Sequence, residues 1–186
     1  MTDDITWWRF DNAVDSKTCN KIIKLADKKW KTATTKRKEG QKNRKTNISW
    51  TTEQWLYDLV FSYMTSANTQ AGWEFEVDAA EEMQIGKYSK GCFYDYHADG
   101  NGVTVYDTPE NNWINGKTRK LSMSIVLNED YEGGNFKFLD SKESTIKGKA
   151  KGTVLVFPSY MHHCVEKITK GNRYSLVAWF LGPKFK

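Results

Sequence analysis

The sequence predicts an α+β fold in which N-terminal helices pack on a β-sandwich or barrel. Three observations carry this. Two early segments place apolar residues at helical spacing. After Gly72 the texture changes to short β-prone runs, each bounded by Gly, Asn, Asp or Pro. No repeat or linker divides the 186 residues. The chain is therefore read as one domain over residues 1–186, with helical support over about 1–72 and a β core over about 73–182.

The first helix is expected over 14–30, where Cys19, Ile22, Ile23, Ala26 and Trp30 share a face and lysines fill the rest. Asp15 or Ser16 suits its N-cap. Residues 31–49 have no period and read as a loop, with a short edge strand near Ile48. The second helix is expected over about 52–67, with Leu56, Leu59, Val60, Tyr63 and Met64 among its apolar stripe and Thr51 with Gln54 as a capping box. Strands follow at approximately 73–77, 82–89, 92–98, 119–128, 134–140, 144–148, 153–157, 162–168 and 172–181. Between two of them lies a long turn-rich segment, 100–118, of the kind that serves as a functional lid.

Composition bounds the function. Aromatics make up 14% with 8 Trp, enough bulky apolar surface for a concentrated core, while a mean hydropathy of −0.70 makes the rest strongly polar. The opening MTDDITWWRF has two acids and no apolar h-region, which argues against a signal peptide. No apolar run approaches the roughly 20 residues that span a bilayer. Three cysteines, Cys19, Cys92 and Cys164, form a sparse, odd set, which fits free thiols in a reducing cytoplasm. From Lys17 to Lys45 there are 12 Lys or Arg against 2 acids, a local +10 that leaves about −5 elsewhere (5 − 10). This reads as a solvated helix face and a basic loop, or as a steering surface for an acidic partner or nucleic acid. Small size and a polar surface suggest a monomer.

The chemistry lies in four scattered residues. In YDYHADG, His97 and Asp99 are two apart, which on a strand puts both on one face. His162 and His163 alternate faces on a later strand, so one points inward, and His162 is expected outward. Two His and one carboxylate leave metal positions open, the arrangement that suits non-haem Fe(II). A structural zinc site would be closed by four protein ligands. Arg173 follows His163 by 10 residues in a β-prone run, with Lys170-Gly171-Asn172 reading as a hairpin turn that sets the two side by side. An inward guanidinium needs a carboxylate, and a dicarboxylic cosubstrate would supply it.

The ordered set His97-x-Asp99, His163 and Arg173 resembles that of the double-stranded β-helix (jelly-roll) Fe(II)/2-oxoglutarate dioxygenases. It is most similar to the prolyl 4-hydroxylase-like, PKHD-type branch with its small bacterial and phage members. The resemblance covers roughly 47–182. MQIGKYSKGCFYDYHAD is similar to the family's tyrosine strand, glycine turn and His-x-Asp strand. RKLSMSIVLNEDYEGGNFKF is similar to its central strand and acidic Gly-Gly turn. GTVLVFPSYMHHCVEKITKGNRYSLVAWF is similar to its last three strands. The resemblance implies that helices pack on a major sheet. It further implies that His97, Asp99 and His163 bind iron and that Arg173 pairs with the C5 carboxylate of 2-oxoglutarate. Tyr88, Ser122, Ser124 and Trp179 would line the cosubstrate pocket, while Tyr94 and Arg119 would contact substrate, with Trp113 and Tyr106 of segment 100–118 beside them. Leu181 departs from a polar substrate contact of some prolyl hydroxylases.

The implied reaction hydroxylates a C–H bond and turns 2-oxoglutarate and O2 into succinate and CO2, with ascorbate supporting activity. The expected substrate is a prolyl residue in a peptide or protein. The alternatives are another protein side chain or a free amino acid, or an alkylated nucleic acid. Related demethylases carry a second arginine where Trp179 stands, which counts against the last. A non-enzymatic interaction module would have no reason to keep three inward ligands and an inward Arg together. The location implied is the cytoplasm of a bacterium, or of a host if phage-encoded.

Overall fold

A computed structural model describes residues 5–26, 29–33, 43–139, 143–146 and 150–185. Its elements in chain order are β1 (Trp8–Phe10), α1 (Ser16–Leu25), β2 (Lys31–Ala33), β3 (Arg44–Thr51) and α2 (Gln54–Gln70). There follow β4 (Ala79–Ala80), β5 (Met83–Ser89), β6 (Phe93–His97), β7 (Thr118–Val126), β8 (Tyr131–Gly133) and β9 (Phe136–Leu139). The chain closes with β10 (Glu143–Thr145), β11 (Val154–Pro158), β12 (His162–Val165) and β13 (Ile168–Gly182).

All pairings are antiparallel, and the strands run in the order β1-β11-β7-β13-β5-β3-β6-β12-β9-β10. The ribbon curls where β3 leaves β5 and its first residues, Arg44 and Lys45, pair with Tyr94 and Phe93 of β6. That hands the major sheet over to a minor one of β6, β12, β9 and β10, the jelly-roll curl of a double-stranded β-helix.

Period-2 alternation decides what each face does. On β13, Leu176, Ala178 and Phe180 point to the helices, and on β7 Leu121, Met123 and Ile125 do the same. They meet Cys19 and Ile22 of α1 and Leu56, Val60, Met64 and Ala67 of α2 in the main core. The opposite faces look into the curl. A second core of Phe138, Ile146, Leu155, Phe157 and Met161 ties the sheets together, with Phe138 and Phe157 edge to face at 5.0 Å.

Several expectations are corrected here. The first helix ends at Leu25 rather than residue 30, with Asp15 as its cap: Oδ1 accepts from Lys17 N at 2.8 Å and Thr18 N at 2.9 Å. The capping box at Thr51 does not form, because Thr51 is the last residue of β3 and Glu53 is the N-cap, without a side-chain bond. The edge strand near Ile48 is an eight-residue strand paired on both sides, by β2 and β5. Residues before 73 thus supply sheet as well as helices. No strand forms over 73–77, and β8 was not anticipated. The hairpin at Lys170-Gly171-Asn172 is absent, since β13 runs through it and Gly171 pairs with Tyr131 of β8. Residues 27–28 and 34–42 of the basic stretch lie outside the described residues. Among the described residues no helix is long and apolar enough to cross a membrane.

Candidate active site

The inward face of the curl encloses a cavity of about 300 Å³. Its wall is built from strand alternation: Arg173, Ser175, Val177 and Trp179 from β13, Gln84 and Tyr88 from β5, Ser124 from β7 and Arg44, Ile48 and Trp50 from β3. The minor sheet supplies Tyr94, His97, Phe136 and His163, with Asp99 just beyond β6.

His97 and His163 sit directly opposite each other in the β6–β12 ladder, their rings 4.3 Å apart. Asp99 completes the group, its Oδ1 3.6 Å from His97 Nε2 and its Oδ2 3.6 Å from His163 Nε2. One candidate ligand atom from each residue lies within 4.8 Å of the others. The spacing works differently from a flat strand. His97 ends β6, and Asp99 stands in the turn beyond, where its N–H and that of Gly100 donate to the Ser159 carbonyl at 3.0 and 2.9 Å.

Each imidazole is oriented by its other nitrogen. His97 Nδ1 lies 2.8 Å from the Asp95 carbonyl and His163 Nδ1 2.9 Å from that of Met161. A carbonyl only accepts, so Nδ1 carries the proton and Nε2 presents its lone pair to a metal. Phe136 stacks on His163 at 5.3 Å and Phe157 meets it edge-on at 4.8 Å, while Tyr94 stacks on His97 at 3.5 Å. Burial pushes the His163 pKa below the ordinary histidine value despite the opposing Asp99 charge, which favours the neutral ring. Burial also opposes ionisation of Asp99, but His163, His97 and Arg119 outweigh it and hold the carboxyl below its usual range. A neutral imidazole and an ionised carboxylate are the ligand forms a divalent metal needs.

Arg173 is 2% exposed. Its Nη1 donates to Ser175 Oγ at 3.1 Å, and its guanidinium lies 5.5 Å from the ring centre of Tyr88, its partner across the β5–β13 ladder. Among the described residues no protein carboxylate pairs with it. A buried guanidinium without a counter-charge is costly, and the chemistry that fits is a dicarboxylate reaching in from the metal side. Arg173 and His163 do not neighbour each other on adjacent strands, as the missing hairpin would have required. They face the same cavity from opposite sheets.

The remaining predicted residues divide. Tyr88, Ser124, Trp179, Tyr94 and Arg119 line the cavity. Ser122 is fully buried behind it, its hydroxyl 2.9 Å from that of Ser159. Arg119 is committed to the protein: Nε and Nη2 each bond Glu81 at 2.6 Å, and Nη1 donates to the Asp99 carbonyl at 3.0 Å. Burial alone would lower its pKa, but Glu81 raises it further above the ordinary arginine value. Trp113 lies outside the cavity, in a neighbouring groove. His162 is exposed, as expected, and Cys19, Cys92 and Cys164 are buried, form no disulfide and stand apart from the ligand group.

Sequence reading missed Arg44, Trp50, Gln84, Glu81 and Ser175. Arg44 donates to Gln84 Oε1 and lies 4.6 Å from the ring centre of Tyr94. The usable signal is the alternation of 44, 48 and 50, faint in a stretch whose polar, aperiodic texture is that of a loop.

Known proteins have a similar fold. The fold is similar to a viral collagen prolyl hydroxylase of Paramecium Bursaria Chlorella virus-1, with TM-score 0.66 and 17% identity over 96% of this chain and 97% of that one. It is likewise similar to a prolyl-4-hydroxylase of Pseudomonas putida, with TM-score 0.65 and 19% identity over 94% and 91%. In sequence, a PKHD-type hydroxylase of Idiomarina loihiensis is 26% identical over 99 residues, 52% of this chain and 40% of the relative. The PKHD-type hydroxylase YbiX of Escherichia coli is 28% identical over 95 residues, 50% and 40%. The match thus spans about two-fifths of the length of these curated relatives. The 2OG-Fe(II) oxygenase superfamily model matches residues 83–181, a stretch that contains the two histidines, the aspartate and the arginine. This chain belongs to the 2OG-Fe(II) oxygenase superfamily, whose members use Fe(II), 2-oxoglutarate and O2.

Proposed function

We propose that this protein hydroxylates a C–H bond of a prolyl residue in a peptide or protein, releasing succinate and CO2. The observation that carries the reading is Arg173, a buried cation that meets no carboxylate among the described residues, opening into the same cavity as His97, Asp99 and His163.

In this reading His97 Nε2, His163 Nε2 and Asp99 would hold Fe(II). Arg173 would pair with the C5 carboxylate of 2-oxoglutarate, which planar guanidinium geometry suits. Tyr88 and Ser124 line that end and Ser175 steadies Arg173, whereas Ser122 acts only through Ser159. When bound, Fe(II) and 2-oxoglutarate together activate O2, one oxygen atom going to the substrate and one to succinate. The protein orients the reactants and excludes water. Val177, Phe136 and Phe157 form the apolar wall. Trp179 Nε1 is buried and meets no acceptor among the described residues, and a carbonyl oxygen of the substrate would satisfy it.

The prolyl substrate is supported by the relatives. The similar structures from the virus and from Pseudomonas putida are prolyl hydroxylases. A prolyl hydroxylase of Trichoplax adhaerens, similar at TM-score 0.68 and 16% identity over 94% and 83% of the chains, is in complex with a hypoxia inducible factor peptide fragment.

Purified protein with Fe(II), O2 and 2-oxoglutarate is expected to form succinate, and His163→Ala to form none. Equal turnover by that variant would sink the metal assignment. Arg173→Glu is expected to lose 2-oxoglutarate binding while iron still binds, read from the visible charge-transfer band of the anaerobic complex. Mass spectrometry of a peptide panel for an oxygen-atom gain tests the substrate class.

A further inference from the structure

Beside the cavity lies a groove of about 430 Å³, and Trp50 belongs to both. One wall is Trp50 of β3 with Tyr57 of α2, the floor is Ala80, Glu81 and Glu82, and the far wall is Trp113 of segment 100–118. That far wall is fastened at three points. Lys117 pairs with Asp78 at 2.9 Å, Trp113 Nε1 donates to the Ala80 carbonyl at 3.2 Å, and the Tyr106 hydroxyl donates to Glu81 Oε1 at 2.7 Å.

The groove has a distinct chemistry. Trp50 and Trp113 are 43% and 59% exposed, unusual for indoles, and both open onto it. The Glu81 charge is matched by Arg119. Glu82 is exposed and has neither an ion pair nor a hydrogen bond among the described residues. The chain itself lays an ammonium on one of these rings, Lys117 Nζ standing 5.3 Å from the Trp113 centre. Indole faces attract cations, and an unmatched carboxylate between them adds to that attraction. An apolar occupant would desolvate Glu82 without return, and an acidic one would be repelled.

We propose that this groove is a subsite for a basic side chain, lysine or arginine, of the peptide substrate, placed within a few residues of the one hydroxylated. The subsite rests on the peptide-hydroxylase reading for its purpose, but its binding chemistry can be tested alone.

The first arm titrates the iron-free protein with N-acetyl-lysinamide, N-acetyl-argininamide and the neutral N-acetyl-norleucinamide, following indole N–H signals by NMR. The cationic probes are expected to shift Trp50 and Trp113 with an affinity about five- to tenfold above norleucine, the scale of one cation–π contact plus one exposed ion pair. Glu82→Gln, with its NMR dispersion confirming the fold, should reduce that preference to what the rings alone supply, and Trp113→Ala should remove the saturable shift. Equal binding of charged and neutral probes, or shifts confined to other residues, overturns the subsite. The second arm measures oxygen incorporation into proline peptides carrying Lys, norleucine or Glu beside the proline. KM should rise in that order, and indifference to the neighbour overturns the proposal. If no peptide gains oxygen, the peptide-hydroxylase reading fails, and the first arm still decides whether the groove binds cations.

Discussion

Two imidazoles and one carboxylate are useful to a metal only if each presents the right atom, and here backbone carbonyls make that choice. Asp95 and Met161 hold the Nδ1 atoms, which commits Nε2 of both rings to the cavity. Gly134 controls the other end. Its φ of +61° is in the left-handed region, and an added Cβ would meet Ile168 Cδ1 and, at 3.3 Å, Arg173 Cδ. Gly134→Ala is therefore expected to cost about 1–3 kcal/mol and to weaken 2-oxoglutarate binding, checked by denaturant melts and a cosubstrate titration. Tyr106 gives a pH prediction. Burial, then its hydrogen bond to Glu81, pushes its pKa from 10.0 up to about 12. The raised value favours the protonated hydroxyl in the folded state. Its contribution is thus fully present below pH 10.0 and is lost as pH rises through about 12. The phenolate absorbance missing from Tyr106→Phe should titrate near 12, and a midpoint at the ordinary value would show that the contact does not form. The candidate ligands are legible in the sequence because metal chemistry restricts residue type and spacing; Arg173 is legible as an inward cation, although the hairpin expected to set it beside His163 does not form. Ser122 was misplaced because alternation reveals a face but not depth.

At the scale of elements, segment 100–118 joins β6 to β7 and is held by Glu81. The same carboxylate grips Arg119, which holds the Asp99 carbonyl, so segment 100–118 and the candidate ligand Asp99 share one anchor. Glu81→Gln is expected to raise amide exchange across 100–118 and to slow turnover more than it weakens 2-oxoglutarate binding, a split visible by combining exchange mass spectrometry with steady-state kinetics. Unchanged exchange would remove Glu81 from that role. β3 is longer and more central than the short edge strand expected near Ile48. RKTNISWT is polar and follows a basic run, so its period-2 pattern is faint, and its partners β5 and β6 are 32 or more residues downstream in chain order. β13 was cut short for a local reason: Lys-Gly-Asn has turn chemistry, but pairing with β8 overrides it.

For the whole molecule, the curled sheet is closed by a small aromatic core. Phe136, Phe138 and Phe157 pack on one another and on His163, so closure and metal geometry depend on the same contacts. Phe138→Ala, at a site 1% exposed, should cost about 3–5 kcal/mol and lower iron affinity. A mutation of similar size in the helix-side core, Leu56→Ala, should cost about 2–5 kcal/mol with far less effect on the metal. Thermal melts and metal titrations of the pair separate the two cores.

By itself the sequence determined the alternation of strands, the helical stripes and the residue types that can hold iron and a carboxylate, because these follow from local period and side-chain chemistry. Tertiary structure alone decided that β3 bridges two sheets and that His163 and Arg173 face each other across a cavity. It also decided that Arg119 is held by Glu81, and that Trp50 and Trp113 flank one groove. Those outcomes depend on which distant strands pair and how far the sheet curls, and no local pattern encodes them. The His97, Asp99, His163 and Arg173 set was readable in the chain, and the closed sheet is what turns four scattered positions into one site.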